Sequence, residues 1–470
     1  MIERDRIFVD GEWTRSSGTG TLTVINPSTE EAYATIPDGG ADDVDRAARA
    51  AAAALPAWSQ TTPAERAEAI SRVADILESR ADEITRAIVS EVGQPLDQAE
   101  FGQTGTAIQD LRITAESVDL VDWDEKVGPT LVHRTAAGVV GAITPWNAPL
   151  KMICMKAGAA LAAGCTTVLK GTEIAPLSSF FFAEAVAEAG IPDGVFNLVS
   201  GTGPSVGEAI VTHPLVDVIS LTGSVRAGQR VMELAARDIK RVALELGGKS
   251  ANIILEDADL EKALVVGMED AFRNSGQVCG GLTRVLVSRK RLAEAEEIAK
   301  ATAEAHVIGD PFDPATTLGP VTGAAARERV RGYIQSGIDE GARLMTGGPE
   351  APEGLDRGFF VRPTVFSASN ENRIAREEIF GPVITLIPFD DDEDAVRLAN
   401  DSSYGLAAAI WAADHDRAVS VAKRVRAGRI RINGSPINSR APHGGFKLSG
   451  IGRELGKYGI EEFLEYQAIG

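Results

Sequence analysis

From Val139 onward the hydrophobic positions fall into short β-branched runs separated by longer helical stretches. Val139–Thr144, Thr166–Leu169, Val195–Val199 and Val216–Leu221 read as strands, and Leu150–Ala162, Pro176–Ala189, Pro204–Val211 and Val225–Ala236 as the helices between and after them. Repeated strand–helix units of this length imply right-handed crossovers and a parallel sheet, hence a doubly wound α/β domain. A second α/β segment begins near Ser250. Upstream, residues 1–37 look extended, with turn signals at Asp10-Gly11 and Asn26-Pro27. Ala41–Ala54 and Pro63–Val92 carry helical spacing, with Pro63 suited to a first turn and Thr62 to its cap. Residues 116–135 break the scheme: they are polar, weakly strand-like, and expected to form a surface hairpin.

A chain of 470 residues is too long for one ordinary core and implies two or three domains. Its net charge of −20 argues against a nucleic-acid surface or an anionic membrane as partner. The first residues, Met1 to Arg6, are charged rather than apolar, and no window is apolar enough to span a bilayer. Cys154, Cys165 and Cys279 are odd in number and lack metal-like spacing, so the expectation is a reducing, cytoplasmic compartment and no metal site.

The candidate chemistry starts with Cys279, in Gly276-Gln277-Val278-Cys279-Gly280-Gly281, and Glu245, in Leu244-Glu245-Leu246-Gly247-Gly248. A thiol attacks a carbonyl as thiolate, and a carboxylate can activate the water that releases an acyl group. Taken singly, a Cys is more often core than catalyst and a Glu is a solvated side chain. Four further elements each carry a bland reading as turn or cap. Asn147, in Thr144-Pro145-Trp146-Asn147-Ala148-Pro149, stands where a strand gives way to a helix, and its amide can donate to a developing oxyanion. Lys170 and Glu173 follow a strand end, where open α/β sheets bind ligands and where both can bond ribose hydroxyls. Gly201-Thr202-Gly203 and Thr222-Gly223-Ser224 follow the next two strands; Ser224 enters a helix, whose N-terminus can take a pyrophosphate. Glu378 and Phe380 precede a Gly-Pro turn.

Taken in order, these elements resemble the aldehyde dehydrogenase superfamily from about residue 8 to the C-terminus, including Asn400–Leu406 and Gly444–Gly450. The resemblance implies an α/β aldehyde dehydrogenase-like fold with two doubly wound domains and a small β oligomerisation region. Residues 1–115 and 136–247 would bind NAD, 248–448 would form the catalytic domain, and 116–135 with 449–470 the bridging region. Cys279 matches the family's nucleophile, Glu245 its general base, and Asn147 the oxyanion-hole amide, helped by the Cys279 N–H. Lys156 matches a lysine sometimes placed in a proton relay with the base. Trp146, Lys170, Glu173, Gly203, Gly223, Ser224, Glu378 and Phe380 fall on the cofactor side. Glu173 suits a free 2′-hydroxyl, so NAD is expected over NADP.

Three positions depart from the family pattern: Gly171-Thr172 replaces the frequent Pro-Ser, Leu221 a common Phe, and His443 a common Phe near the tunnel. Ala148, Met152 and Met155, with His443, fall on the tunnel wall, which implies a roomy, apolar passage for medium aliphatic or aromatic aldehydes. The resemblance also implies a homodimer or homotetramer, and suggests that Glu465 ties to Arg453 and Arg241 near the interface. Two rivals stand beside this reading: a CoA-acylating dehydrogenase, which usually lacks the carboxylate at Glu245, and a non-catalytic structural relative, which tends to lose the nucleophile or base.

Overall fold

The computed structural model describes residues 1–470. Two large sheets organise it. The first has the strand order 450–451, 241–245, 218–222, 139–143, 166–170, 196–199, 6–9, 12–15. Its five central strands, from 241–245 to 196–199, are parallel, while the N-terminal hairpin and Gly450–Ile451 close the two ends antiparallel. The chain starts the parallel set at Val139–Ile143, builds outward to Phe196–Val199, then returns to the other side with Val218–Thr222. That reversal makes a switch point at the carboxyl ends of 139–143 and 218–222, the place where such sheets leave a crevice.

The second sheet runs 343–346, 364–367, 383–389, 284–288, 251–254, 407–411, 429–432, parallel except for its first pair. Strand periodicity shows directly in its packing. Ala251, Ile253, Leu286 and Ile410 enter one apolar layer with the helix Asp392–Asn400, whereas Ile254, Val285, Val287 and Trp411 enter another with Leu260–Phe272 and Leu292–Glu304. Both faces are thus covered, as the doubly wound reading requires.

The helix over Pro63–Val92 breaks at Arg80 into 63–79 and 81–92. Thr62 caps the first: its Oγ1 accepts from Glu65 N–H at 3.2 Å and its own N–H donates to Glu65 Oε2 at 2.7 Å. Within the expected hairpin 116–135, the helix Thr106–Ser117 and a 3₁₀ turn run on to Leu120, so only Asp124–Val127 and Thr130–Ala136 are strands. The second of these pairs along its length with the C-terminal strand Leu464–Ile469. Arg241 ties that strand to the first sheet, donating to Glu465 Oε1 at 2.9 Å and to Leu464 O at 2.7 Å. Arg453 does not join this pair. Its guanidinium donates to the Gly452 and Gly445 carbonyls and its N–H to Glu462, just past the strand Gly450–Ile451 that runs antiparallel beside 244–245. No helix is long and apolar enough to cross a membrane.

Candidate active site

A cavity of about 270 Å³ lies between the carboxyl ends of the first sheet and the amino ends of the second. The first sheet contributes Trp146, Asn147, Thr222, Gly223, Ser224 and Leu246; the second contributes Cys279, before strand 284–288, and Arg429, which opens strand 429–432.

The approach to Cys279 is bent. Asn274, Ser275 and Gly276 take successive left-handed conformations, with φ of 50°, 56° and 73°. For non-glycine residues such geometry costs about 1–3 kcal/mol each, so it persists only where the surroundings hold it. Here Gln277 Nε2 donates to Asn274 O (3.0 Å), Ser275 Oγ to Gly319 O (2.7 Å), and Asn274 Nδ2 to Asn147 O (3.1 Å). Gln103 Nε2 also donates to Asn147 O at 2.8 Å, while Asn147 Nδ2 donates to Gln277 O at 3.0 Å. The Asn147 amide is thereby locked beside the segment that carries Cys279.

Cys279 is half-buried. Burial, then the charges of Glu245 and Glu378, push its thiol up to about 11, while Arg429 and the Gly280 N–H oppose them. Glu245 ends strand 241–245, and its main chain is fixed by Gly223 N–H donating to its carbonyl at 3.0 Å. Its side chain is buried and neither carboxylate oxygen has a hydrogen-bond partner. Burial and the neighbouring Glu454 hold this carboxyl well above the usual carboxylate range, against Lys156, Arg453 and Arg429. A carboxylate whose charge is disfavoured in this way is a stronger base, which suits it to taking a proton from water.

Gly247 and Gly248 let these parts converge. A Cβ at Gly247 would overlap the Glu378 carboxylate, and one at Gly248 the Cys279 carbonyl oxygen. The buried Arg284 guanidinium anchors the loop by donating to Lys249 O at 2.9 Å, and Ser449 Oγ donates to Gly247 O at 2.7 Å.

The other expected residues separate. Lys156 is fully buried and donates to Glu454 Oε1 at 2.6 Å and Ser220 Oγ at 3.1 Å, with no direct bond to Glu245. Trp146 and Phe380 meet edge to face at 5.5 Å beside the cavity, and Phe380 takes a left-handed φ of 56°. Glu378 accepts from Gly248 N–H at 3.0 Å, and burial raises its carboxyl. Ser224 caps the helix Val225–Ala235, accepting from Ala227 N–H at 3.2 Å. Lys170 and Glu173 form a 2.8 Å pair at the end of strand 166–170, outside the cavity lining. Gly203 also lies outside it, on a π-turn with open space at its Cβ position. These groups fit a dinucleotide: a carboxylate pair for ribose hydroxyls, and a helix N-terminus for phosphate.

Ala148, Met152 and His443 line the cavity, but Met155 does not. It lies in a π-turn over Cys154–Gly158 whose residues are all buried, so it does not reach the wall where the resemblance put it. Nor is the lining simply apolar. Lys151, Arg273, Arg329 and Arg429 reach it, Lys151 with its charge paired to Asp110 at 3.3 Å. Arg429 and Glu454 are the residues that sequence reasoning missed. The run Gly452-Arg453-Glu454-Leu455, just past the C-terminal glycine motif, was the available signal for Glu454.

Comparison with known proteins identifies the family. Residues 13–469 match the model of the aldehyde dehydrogenase family. The chain is 47% identical to a 3-succinoylsemialdehyde-pyridine dehydrogenase of a Pseudomonas species, covering 100% of this chain and 99% of that one. Among solved structures it is similar to a cysteine-to-alanine mutant of aldehyde dehydrogenase C from Pseudomonas syringae in complex with NAD+ and octanal. The TM-score there is 0.98 and the identity 46%, covering 99% and 96% of the two chains. It is also similar to a Mycobacterium tuberculosis aldehyde dehydrogenase complexed with NAD+, with a TM-score of 0.97 and 41% identity over 100% and 98%. The chain belongs to the aldehyde dehydrogenase family.

Proposed function

We propose that the protein oxidises an aldehyde to its carboxylic acid with NAD, through a thiohemiacetal and then a thioester on Cys279. The observation that carries this is a single cavity lined by Cys279, Asn147, Ser224 and Glu378. Cys279, as the thiolate, bonds through Sγ to the aldehyde carbon while the C=O π pair passes to the oxygen. The Asn147 amide and the Cys279 N–H are the donors for the resulting oxyanion, and losing one such donor costs about 3 kcal/mol. Lys170, Glu173, Gly203, Gly223 and Ser224 would hold the adenosine and pyrophosphate portion of NAD, and Trp146, Glu378 and Phe380 the nicotinamide end. Bound there, NAD supplies the hydride acceptor. Glu245 takes a proton from water, whose oxygen joins the acyl carbon as the C–S bond breaks.

Ala148 and Met152 on the wall support a medium aliphatic or aromatic aldehyde. The octanal held by the Pseudomonas syringae structure and the pyridine in the other relative's name point the same way. The exposed sheet 124–127, 130–136, 464–469 supports assembly as a homodimer or homotetramer, and three free cysteines suit the cytoplasm. The decisive variant is Glu245→Gln. Intact-mass spectrometry after mixing with aldehyde and NAD should show an acyl adduct on Cys279 that persists. An adduct that clears as fast as in the wild type removes Glu245 from hydrolysis.

A further inference from the structure

His443 has no part in the reaction as described, yet it touches the base. Its main chain forms a two-way bridge with Glu454: His443 N–H donates to Glu454 O at 2.8 Å, and Glu454 N–H to His443 O at 2.7 Å. The imidazole so held is 12% exposed, with Nε2 3.5 Å from Glu245 Oε2. Its other nitrogen, Nδ1, lies 3.4 Å from Arg429 Nη1.

Arg429 can only donate, so Nδ1 must accept and the ring proton sits on Nε2, facing Glu245. Burial, then the charges of Arg429, Lys151, Lys156 and Arg453, hold the imidazole well below its ordinary range. Arg429 has no carboxylate partner among the protein's ion pairs, and its Nε is buried without a bond. A Cβ at Gly280 would stand 3.2 Å from its Nη2, so the guanidinium is packed against the main chain next to Cys279. On the other side, both Glu245 oxygens lack partners. The groups facing that carboxylate are Glu454, Lys156, Arg453, Arg429, His443 and Cys279. A 3.5 Å contact becomes a hydrogen bond on a small rotation of either side chain, as such contacts do when a site engages its substrate.

We propose that His443 is a positioning residue for Glu245: as the Nε2–H tautomer fixed by Arg429, it donates to the Glu245 carboxylate and so speeds release of the acyl group rather than its formation. The proposal rests on Cys279 and Glu245 acting as described above. In the hydrolytic step the water proton passes to Glu245, the water oxygen bonds to the acyl carbon, and the C–S bond breaks to leave the Cys279 thiolate. His443 keeps its proton throughout. A donor to the charged carboxylate also lowers its pKa, so removing the donor raises it.

The test uses 4-nitrophenyl acetate, which acylates a nucleophilic thiol without NAD or any choice of aldehyde. The burst of 4-nitrophenolate reports acylation of Cys279, and the steady phase reports hydrolysis. For His443→Phe we expect a burst rate within about twofold of wild type, a steady rate lowered about tenfold, and its acid limb moved to higher pH. His443→Gln, which retains an N–H donor, should recover most of the loss, and Arg429→Met should lower the steady rate in part while also slowing the burst, since Arg429 holds the Cys279 thiol down. Equal losses in the Phe and Gln variants, an unmoved acid limb, or a loss confined to the burst overturns the proposal. If His443→Phe does not fold, the Gln and Arg429→Met variants decide by the same readouts. A wild type that is acylated but never turns over overturns the hydrolytic role of Glu245, and this proposal with it.

Discussion

Gly248 lies directly against Cys279, so close that a Cβ on the glycine would overlap the cysteine carbonyl oxygen. The loop after Glu245 and the turn carrying Cys279 are therefore in main-chain contact. Gly248→Ala should push Cys279 off its position while leaving the sheets intact. Misplacement of a reacting group by about 1 Å can cost around a hundredfold. We expect kcat/KM to fall on that scale with little change in melting temperature, and steady-state kinetics beside thermal unfolding check it.

The Cys279 thiol, raised to about 11 by burial and then by Glu245, is mostly protonated in the free protein at neutral pH. Alkylation by iodoacetamide should therefore keep rising with pH well past the range of an ordinary thiol, since only the thiolate reacts. Glu245→Gln removes a negative neighbour and should move that profile to lower pH. A profile unmoved by the substitution would separate the two groups electrostatically.

Lys156 and Glu454 form a buried ion pair at 2.6 Å. Lys156→Met leaves the carboxylate without its partner, which for buried pairs costs about 3–5 kcal/mol. Adding Glu454→Gln should return much of that loss. Urea unfolding of the two single variants and the double variant gives the coupling directly.

Glu173, paired with Lys170 at 2.8 Å, should repel a 2′-phosphate. The expected ratio of kcat/KM favours NAD over NADP, and Glu173→Gln should narrow it by about tenfold, a change of ~1.4 kcal/mol. A ratio at or below one in the wild type would contradict the role given to this carboxylate.

The parts of the site that were legible in the sequence are those carried by short local motifs. Cys279, Asn147, Ser224 and Glu378 each sit at a strand end or turn, and the sheets bring them to one cavity. Thr62 was legible for the same reason, since a cap is decided within four residues. The misses have a different origin. Arg429 arrives on the strand paired to 407–411, and Glu454 through its bridge to His443, so neither is placed by its own neighbours in the chain. Met155, which the family resemblance put on the tunnel wall, lies instead among the buried residues of a π-turn. Lys156 points at Glu454 rather than Glu245, a choice made by tertiary packing of the C-terminal segment.

The measurement that bears most directly on function is NADH formation over a panel of aldehydes, without CoA, with the acid product identified. The panel spans short and long aliphatic, aromatic, semialdehyde and betaine-type substrates. We expect turnover to the free acid, best for medium aliphatic or aromatic aldehydes, and none from Cys279→Ala. Turnover that requires CoA, or that survives Cys279→Ala, would contradict a hydrolytic thioester mechanism on Cys279.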